Sequence, residues 1–217
     1  MYHQTIERIE EEKIIVIVRG VAREKLIPLA NALYEGGIRL VECTYDASGK
    51  IPDEEVAECI GLLAKHFEGK MLIGAGTVLK KCQVELTKSA GGRFIISPDT
   101  NEEIISETKK LGLVSIPGAL TPSEATLANR AGADFVKLFP INQMGCGYLK
   151  ALCAPLSHIR FLAVGGVRIG NVLDHLNSGA SGVGIGLTEQ DREAIEQNDF
   201  ASVTARVCEI VNKIRSY

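Results

Sequence analysis

The sequence predicts an α/β protein, a TIM (β/α)8 barrel with an N-terminal helix. Three observations predict it. Eight short apolar strand candidates alternate with helical segments, at a pitch of about 20 to 25 residues. Small-residue breaks precede several strands: Gly36-Gly37, Gly91-Gly92, Gly112, Gly132 and Gly179, which read as helix stops feeding buried strands. No GxGxxG follows the first strand, where the chain instead reads Arg19-Gly20-Val21-Ala22, and this disfavours an open doubly wound sheet.

The elements follow in order. Thr5 to Lys13 is a short amphipathic helix with Ile6 and Ile9 three apart. Ile14 to Val18 is an apolar, β-branched run suited to a parallel strand covered on both faces. A helix over Arg23 to Tyr34 leads to a strand over Ile38 to Cys43, and a helix over Asp53 to Phe67 to a strand over Met71 to Ala75. Helix Lys81 to Ser89 precedes strand Phe94 to Ile96, and helix Asn101 to Lys110 precedes strand Val114 to Ile116. Helix Pro122 to Arg130 precedes strand Phe135 to Leu138, and helix Gly147 to Leu156 precedes strand Phe161 to Val164. Helix Ile169 to Ser178 leads into the last strand, Gly182 to Ile185. A weak helix near Arg192 and a strong one over Phe200 to Arg215 complete the pattern.

Composition narrows the class. The 217 residues, 46% hydrophobic and 24% charged, fit one globular domain spanning 1–217. A formal charge of −3 gives no general nucleic-acid or membrane binder. The longest apolar run, Ile14 to Val18, is too short to span a bilayer. The acidic start MYHQTIERIEEEK lacks a secretory h-region. Six widely spaced cysteines with no CxxC read as reduced thiols of a cytoplasmic protein. His3, His66, His158 and His175 do not cluster at ligand spacing, so no metal site is expected. His66 and His175 read as surface or packing residues. Gly145-Cys146-Gly147 hints at a reactive thiol, but no histidine in the sequence is positioned to support it, and the segment reads as a flexible loop beside the active face.

Barrel chemistry sits at the C-terminal ends of strands. Lys137, in Asp134-Phe135-Val136-Lys137-Leu138-Phe139-Pro140, shares a strand face with Phe135 and Phe139. Desolvation there lowers the amine pKa and frees a nucleophile for a carbonyl; the alternative is a lysine snorkelling from a strand end. Glu42 shares a face with Leu40 and Thr44 and lies across the barrel from Lys137, either to move protons or to close a structural salt bridge. Arg19 ends the first strand, as a carboxylate clamp or an ordinary surface arginine. Thr77 follows Gly74-Ala75-Gly76 and offers a hydroxyl. Pro98 ends the fourth strand. Gly165-Gly166 and Gly184-Ile185-Gly186 end the last two strands, where barrels often build an anion seat, although glycines also simply make turns.

Taken together, Gly36-Gly37-Ile38-Arg39-Leu40-Val41-Glu42, Ile73-Gly74-Ala75-Gly76-Thr77-Val78, Ile96-Ser97-Pro98, Ile116-Pro117-Gly118, Val136-Lys137-Leu138-Phe139-Pro140 and Val164-Gly165-Gly166-Val167 resemble the bacterial 2-keto-3-deoxy-6-phosphogluconate (KDPG) and 4-hydroxy-2-oxoglutarate (KHG) aldolase family. The resemblance runs from about Ile14 to Tyr217. It implies a metal- and cofactor-free class I lyase that cleaves a 2-keto-4-hydroxy acid to pyruvate and an aldehyde. By the same resemblance Lys137 is the Schiff-base lysine, Glu42 the general acid/base, and Arg19 and Thr77 the carboxylate and pyruvate side. Pro98 then shapes the pocket, Gly165 and Gly166 form the phosphate-side loop, and the assembly is a homotrimer. Three positions depart from the family pattern. Asp46 stands where some members carry an arginine, Val164 where threonine is usual, and Leu187 where serine is usual. Each removes a donor for an anion or, for Asp46, adds repulsion, leaving an unphosphorylated or smaller substrate, or a non-catalytic anion-binding barrel, as alternatives.

Overall fold

Apolar runs buried on both faces became parallel strands, and the segments between them became helices. The computed structural model describes residues 1–217. Its strands are β1 (Ile14–Val18), β2 (Leu40–Thr44), β3 (Leu72–Gly76), β4 (Phe94–Ile96), β5 (Val114–Ile116), β6 (Gly118–Ala119), β7 (Val136–Leu138), β8 (Phe161–Val164) and β9 (Gly182–Gly186). Its helices are α1 (Tyr2–Glu12), α2 (Arg23–Glu35), α3 (Asp53–His66), α4 (Lys81–Ser89), α5 (Glu102–Lys110), α6 (Pro122–Arg130), α7 (Ile141–Cys153), α8 (Val172–Asn177), α9 (Glu189–Glu196) and α10 (Phe200–Arg215).

All pairings are parallel, in the order β5-β4-β3-β2-β1-β9-β8-β7-β6. The ninth segment arises because Pro117, with no N–H to offer, interrupts the fifth barrel strand between β5 and β6. Its carbonyl still accepts from Lys137 N at 2.8 Å, and Ser115 O accepts from Asp134 N at 3.0 Å. These bonds carry the ladder across the break, and the sheet curls into a TIM-type barrel.

Strand alternation sorts side chains into two layers. Ile15, Leu40, Phe94, Ile96, Val114, Ile116, Phe135, Leu162 and Val164 fill the lumen, while the larger apolar cluster lies between sheet and helices. Each fully buried Val, Leu, Ile or Phe there contributes about 1.5–3 kcal/mol. The helix α1 plugs the end where strands begin. Ile9 joins the lumen cluster, and Tyr2 hydroxyl, Lys109 ammonium and Asp134 carboxylate bond together beneath it. At the other side of the barrel Gly36 lets α10 close on α2, since a β-carbon there would meet Val207 Cγ1 at 2.6 Å.

Several boundaries differ from the sequence expectation. The second strand runs Leu40–Thr44 rather than Ile38 to Cys43, because Ile38 N is spent on the Leu33 carbonyl at the helix end. The helix expected from Gly147 begins at Ile141, and Gly145 (φ 77°, ψ 173°) kinks it, so the expected loop at Gly145-Cys146-Gly147 is helical on both sides. The eighth helix is shorter than expected, Val172–Asn177, because Asn171 side-chain bonds to Gly166 O and Arg168 N hold the preceding residues in a turn.

Candidate active site

Lys137 and Glu42 meet in the barrel lumen. Alternation on β7 turns Lys137 inward beside Phe135, and alternation on β2 turns Glu42 inward beside Leu40. Both line one narrow cavity with Ile17, Ile96, Ile116 and Val164. Glu42 is 1% exposed and Lys137 7%. The pair closes no salt bridge. Glu42 Oε2 is buried with no hydrogen-bond partner, and its Oε1 lies 3.4 Å from the Thr44 hydroxyl. The Lys137 ammonium position is 4.8 Å from the centre of the Phe139 ring.

Electrostatics follow from that burial. Desolvation is the largest influence on Lys137 and lowers its pKa; the Glu42 charge opposes this and Arg19 adds to it. Desolvation likewise dominates Glu42 and raises its pKa against the attraction of Lys137 and Arg19. The two shifts both favour a neutral amine facing a protonated carboxyl. A neutral amine is a nucleophile and a buried carboxylic acid is a proton donor, so the arrangement suits carbinolamine chemistry on a ketone.

The rest of the predicted set divides by location. Arg19 and Thr77 join at the open end of the barrel, Arg19 Nη2 donating to Thr77 Oγ1 at 2.9 Å. Thr77 holds φ 54°, an unusual value for a β-branched residue, which fixes its hydroxyl toward Arg19. Pro98 ends β4 half-buried, and its carbonyl packs so closely on Gly118 that a β-carbon there would come within 2.3 Å. Gly165 (φ 99°) and Gly166 (φ 74°) turn the chain after β8. The backbone N–H groups of Gly165, Gly166 and Val167 donate to no other group of the chain, leaving them free for an oxyanion. Gly186 lies exposed at the end of β9. Gly184 does not: it is buried in the lumen, where a β-carbon would meet Val164 Cγ2 at 2.9 Å, so its role is to make room rather than to present an amide at the rim.

The three departures also separate. Only Val164 faces the lumen. Leu187 points the other way and packs against the outer core, as alternation from Gly184 and Gly186 requires. Asp46 folds back on its own loop, accepting from the Ser48 hydroxyl at 2.7 Å, Lys50 N at 2.9 Å and Ile51 N at 3.1 Å. Those bonds, the Ser48 hydroxyl first, hold its pKa down at about 2. Neither Leu187 nor Asp46 therefore obstructs an anion in the lumen.

One residue of the site escaped the sequence reading. Gly76 lies beside Glu42, and a β-carbon there would stand 1.5 Å from Glu42 Oε1. In the β2–β3 ladder Gly76 pairs with Thr44, two residues beyond Glu42, a register that the sequence does not report.

The chain is similar to known proteins over most of its length. The family described as KDPG and KHG aldolase matches residues 5–206. The chain is 34% identical over 174 residues to a 2-dehydro-3-deoxy-6-phosphogalactonate aldolase of Escherichia coli K12, covering 80% of this chain and 82% of that protein. It is 30% identical over 216 residues to a 2-dehydro-3-deoxy-phosphogluconate aldolase of Haemophilus influenzae, covering 98% and 97%. Among solved structures, a KDPG aldolase from Legionella pneumophila, with pyruvate captured at low pH as a covalent carbinolamine intermediate, superposes with a TM-score of 0.81 at 28% identity, covering 92% of this chain and 94% of that one.

Proposed function

The chain belongs to the KDPG and KHG aldolase family, and on that premise we propose that it is a class I lyase cleaving a 2-keto-4-hydroxy acid to pyruvate and an aldehyde through a Schiff base on Lys137. The observation that carries this reading is a buried amine without an ion-pair partner, sharing a narrow lumen with a buried carboxyl that has one oxygen unpartnered.

The neutral Lys137 amine attacks the C2 ketone, and Glu42 gives its proton to the departing hydroxyl, so the carbinolamine becomes an iminium and water. The iminium draws electrons from the C3–C4 bond as Glu42, now a carboxylate, takes the C4 hydroxyl proton. The aldehyde leaves, the enamine accepts that proton at C3, and water releases pyruvate. A low-dielectric lumen strengthens each of these charge interactions.

Arg19 with Thr77 supplies a cation and a hydroxyl for the substrate carboxylate, and Pro98 bounds the pocket beside them. The free amides of Gly165, Gly166 and Val167 supply a seat for a terminal anion, phosphate or carboxylate. With Asp46 and Leu187 turned away, both the phosphorylated sugar acids and 4-hydroxy-2-oxoglutarate remain substrates of this reading. No residue in the site asks for a metal or cofactor. Residues 1–217 act as one catalytic domain. We place the enzyme in the cytoplasm on the sequence grounds above, and as a homotrimer on the family resemblance; its mass in solution tests the latter.

The test is pyruvate release from KDPG, its galactonate-derived counterpart and 4-hydroxy-2-oxoglutarate. Turnover of at least one, lost in Glu42→Gln and Lys137→Ala, is expected. No pyruvate from any of the three would overturn the assignment.

A further inference from the structure

A second cluster of reactive groups lies outside the barrel lumen. Cys146 Sγ is 3.5 Å from His175 Nδ1, bringing α7 and α8 together over a separation of 29 residues. The sequence alone places no histidine near this thiol, and the fold supplies one. His175 is 4% exposed, while Cys146 remains only half-buried, between exposed Met144 and exposed Gly147. The base is thus held inside and the thiol faces outward, which is the polarity a modifiable cysteine needs.

Contrast with the other thiols sharpens the point. Cys43 is buried beside Glu42, and desolvation drives its pKa far up. Cys153 donates to the Gly179 carbonyl at 3.6 Å, which holds it as a thiol, and burial raises its pKa. Burial also raises the pKa of Cys59. Cys208 accepts from the Asn212 amide at 3.5 Å and has no base beside it. Cys82 is exposed without a hydrogen-bonded neighbour. Cys146 alone has a nitrogen base at its sulfur.

Burial and a neighbouring carboxylate act on the histidine in opposite senses. Burial lowers the His175 pKa and favours the neutral ring, which in the tautomer carrying its proton on Nε2 offers Nδ1 to the thiol as an acceptor. Asp174, next to it, opposes that shift and stabilises the imidazolium that forms on proton transfer. Gly145 breaks α7 immediately before Cys146, which places the thiol at the start of the segment that follows.

We propose that Cys146, with His175 as its base, is a thiol-modification site that takes small disulfides. His175 Nδ1 accepts the thiol proton. The Cys146 sulfur attacks one sulfur of R–S–S–R, the S–S bond breaks, and the departing thiolate takes the electron pair and then the proton from the imidazolium. The products are a Cys146 mixed disulfide and one R–SH. The site lies in the helical layer and uses none of the residues placed in the lumen.

The test exposes the intact enzyme to 2-hydroxyethyl disulfide at pH 7 and follows each cysteine by peptide mass. Cys146 is expected to be modified at least tenfold faster than the exposed Cys82. His175→Asn, which keeps an acceptor near the Nδ1 position but has no proton affinity in this range, should slow Cys146 at least tenfold and leave Cys82 and aldolase turnover unchanged. Cys146 reacting no faster than Cys82 would overturn the proposal, and so would an unchanged Cys146 rate in the variant. Should the variant not fold, the comparison of the two thiols in the parent enzyme still decides.

Discussion

Gly76 and Glu42 occupy one another's space: the carboxylate oxygen Oε1 of Glu42 sits where a side chain on Gly76 would begin, 1.5 Å from the position of its β-carbon. The acid can point into the lumen only because β3 carries no side chain opposite it. Gly76→Ala is therefore expected to push Glu42 out of line while leaving the outer core in place. The loss should resemble that of a missing general acid, about 100-fold or more in kcat. Turnover within threefold of the parent would contradict this placement.

Charges around Lys137 give a prediction with opposite signs. Glu42 raises the Lys137 pKa and Arg19 lowers it. In the pH range where Glu42 is ionised, Glu42→Gln removes its attraction, so the pH at which the amine becomes reactive moves down; Arg19→Gln removes the repulsion, so it moves up. The pH dependence of imine trapping with pyruvate reads both. Shifts in the same direction in the two variants would contradict the electrostatic account.

Val164 is the one departure from the family pattern that reaches the lumen. The gluconate- and galactonate-derived acids named for the relatives differ in configuration at C4, and a hydroxyl on this wall can distinguish them. Val164→Thr is expected to change the ratio of kcat/KM for the two by several-fold, corresponding to about 1 kcal/mol for one hydrogen bond. An unchanged ratio would show that C4 does not pass this wall.

Stability at the closed end rests on Asp134, which accepts from Ser115 N at 2.9 Å and meets Tyr2 and Lys109. Asp134→Ala is expected to cost about 1–3 kcal/mol, since it leaves a buried N–H without its acceptor and a partly buried ammonium without its counter-ion. Denaturant unfolding measures it, and pyruvate trapping at 25 °C should survive. A loss below 0.3 kcal/mol would mean that α1 docks through apolar contacts alone.

Much of this was legible in the chain because strands impose a period of two. Lys137 between Phe135 and Phe139, and Glu42 after Leu40, stand out as charges on apolar faces, and the fold brings both into the lumen. The same alternation sends Leu187 outward. The fate of Asp46 was not legible, because it depends on backbone N–H groups of Lys50 and Ile51 closing a loop over it. Glycines at 145 and 147 hid the true start of α7, whose first turns are held by packing of Ile141 and not by helix propensity. The Cys146–His175 contact depends on two helices from separate βα units lying side by side, which no local pattern reports.

The most direct measurement is reduction with borohydride in the presence of pyruvate, followed by peptide mapping. A single reduced pyruvate adduct on Lys137, absent without pyruvate and absent in Lys137→Arg, is the predicted result. Full pyruvate-forming activity with no adduct on Lys137, or an adduct confined to another lysine, would contradict it.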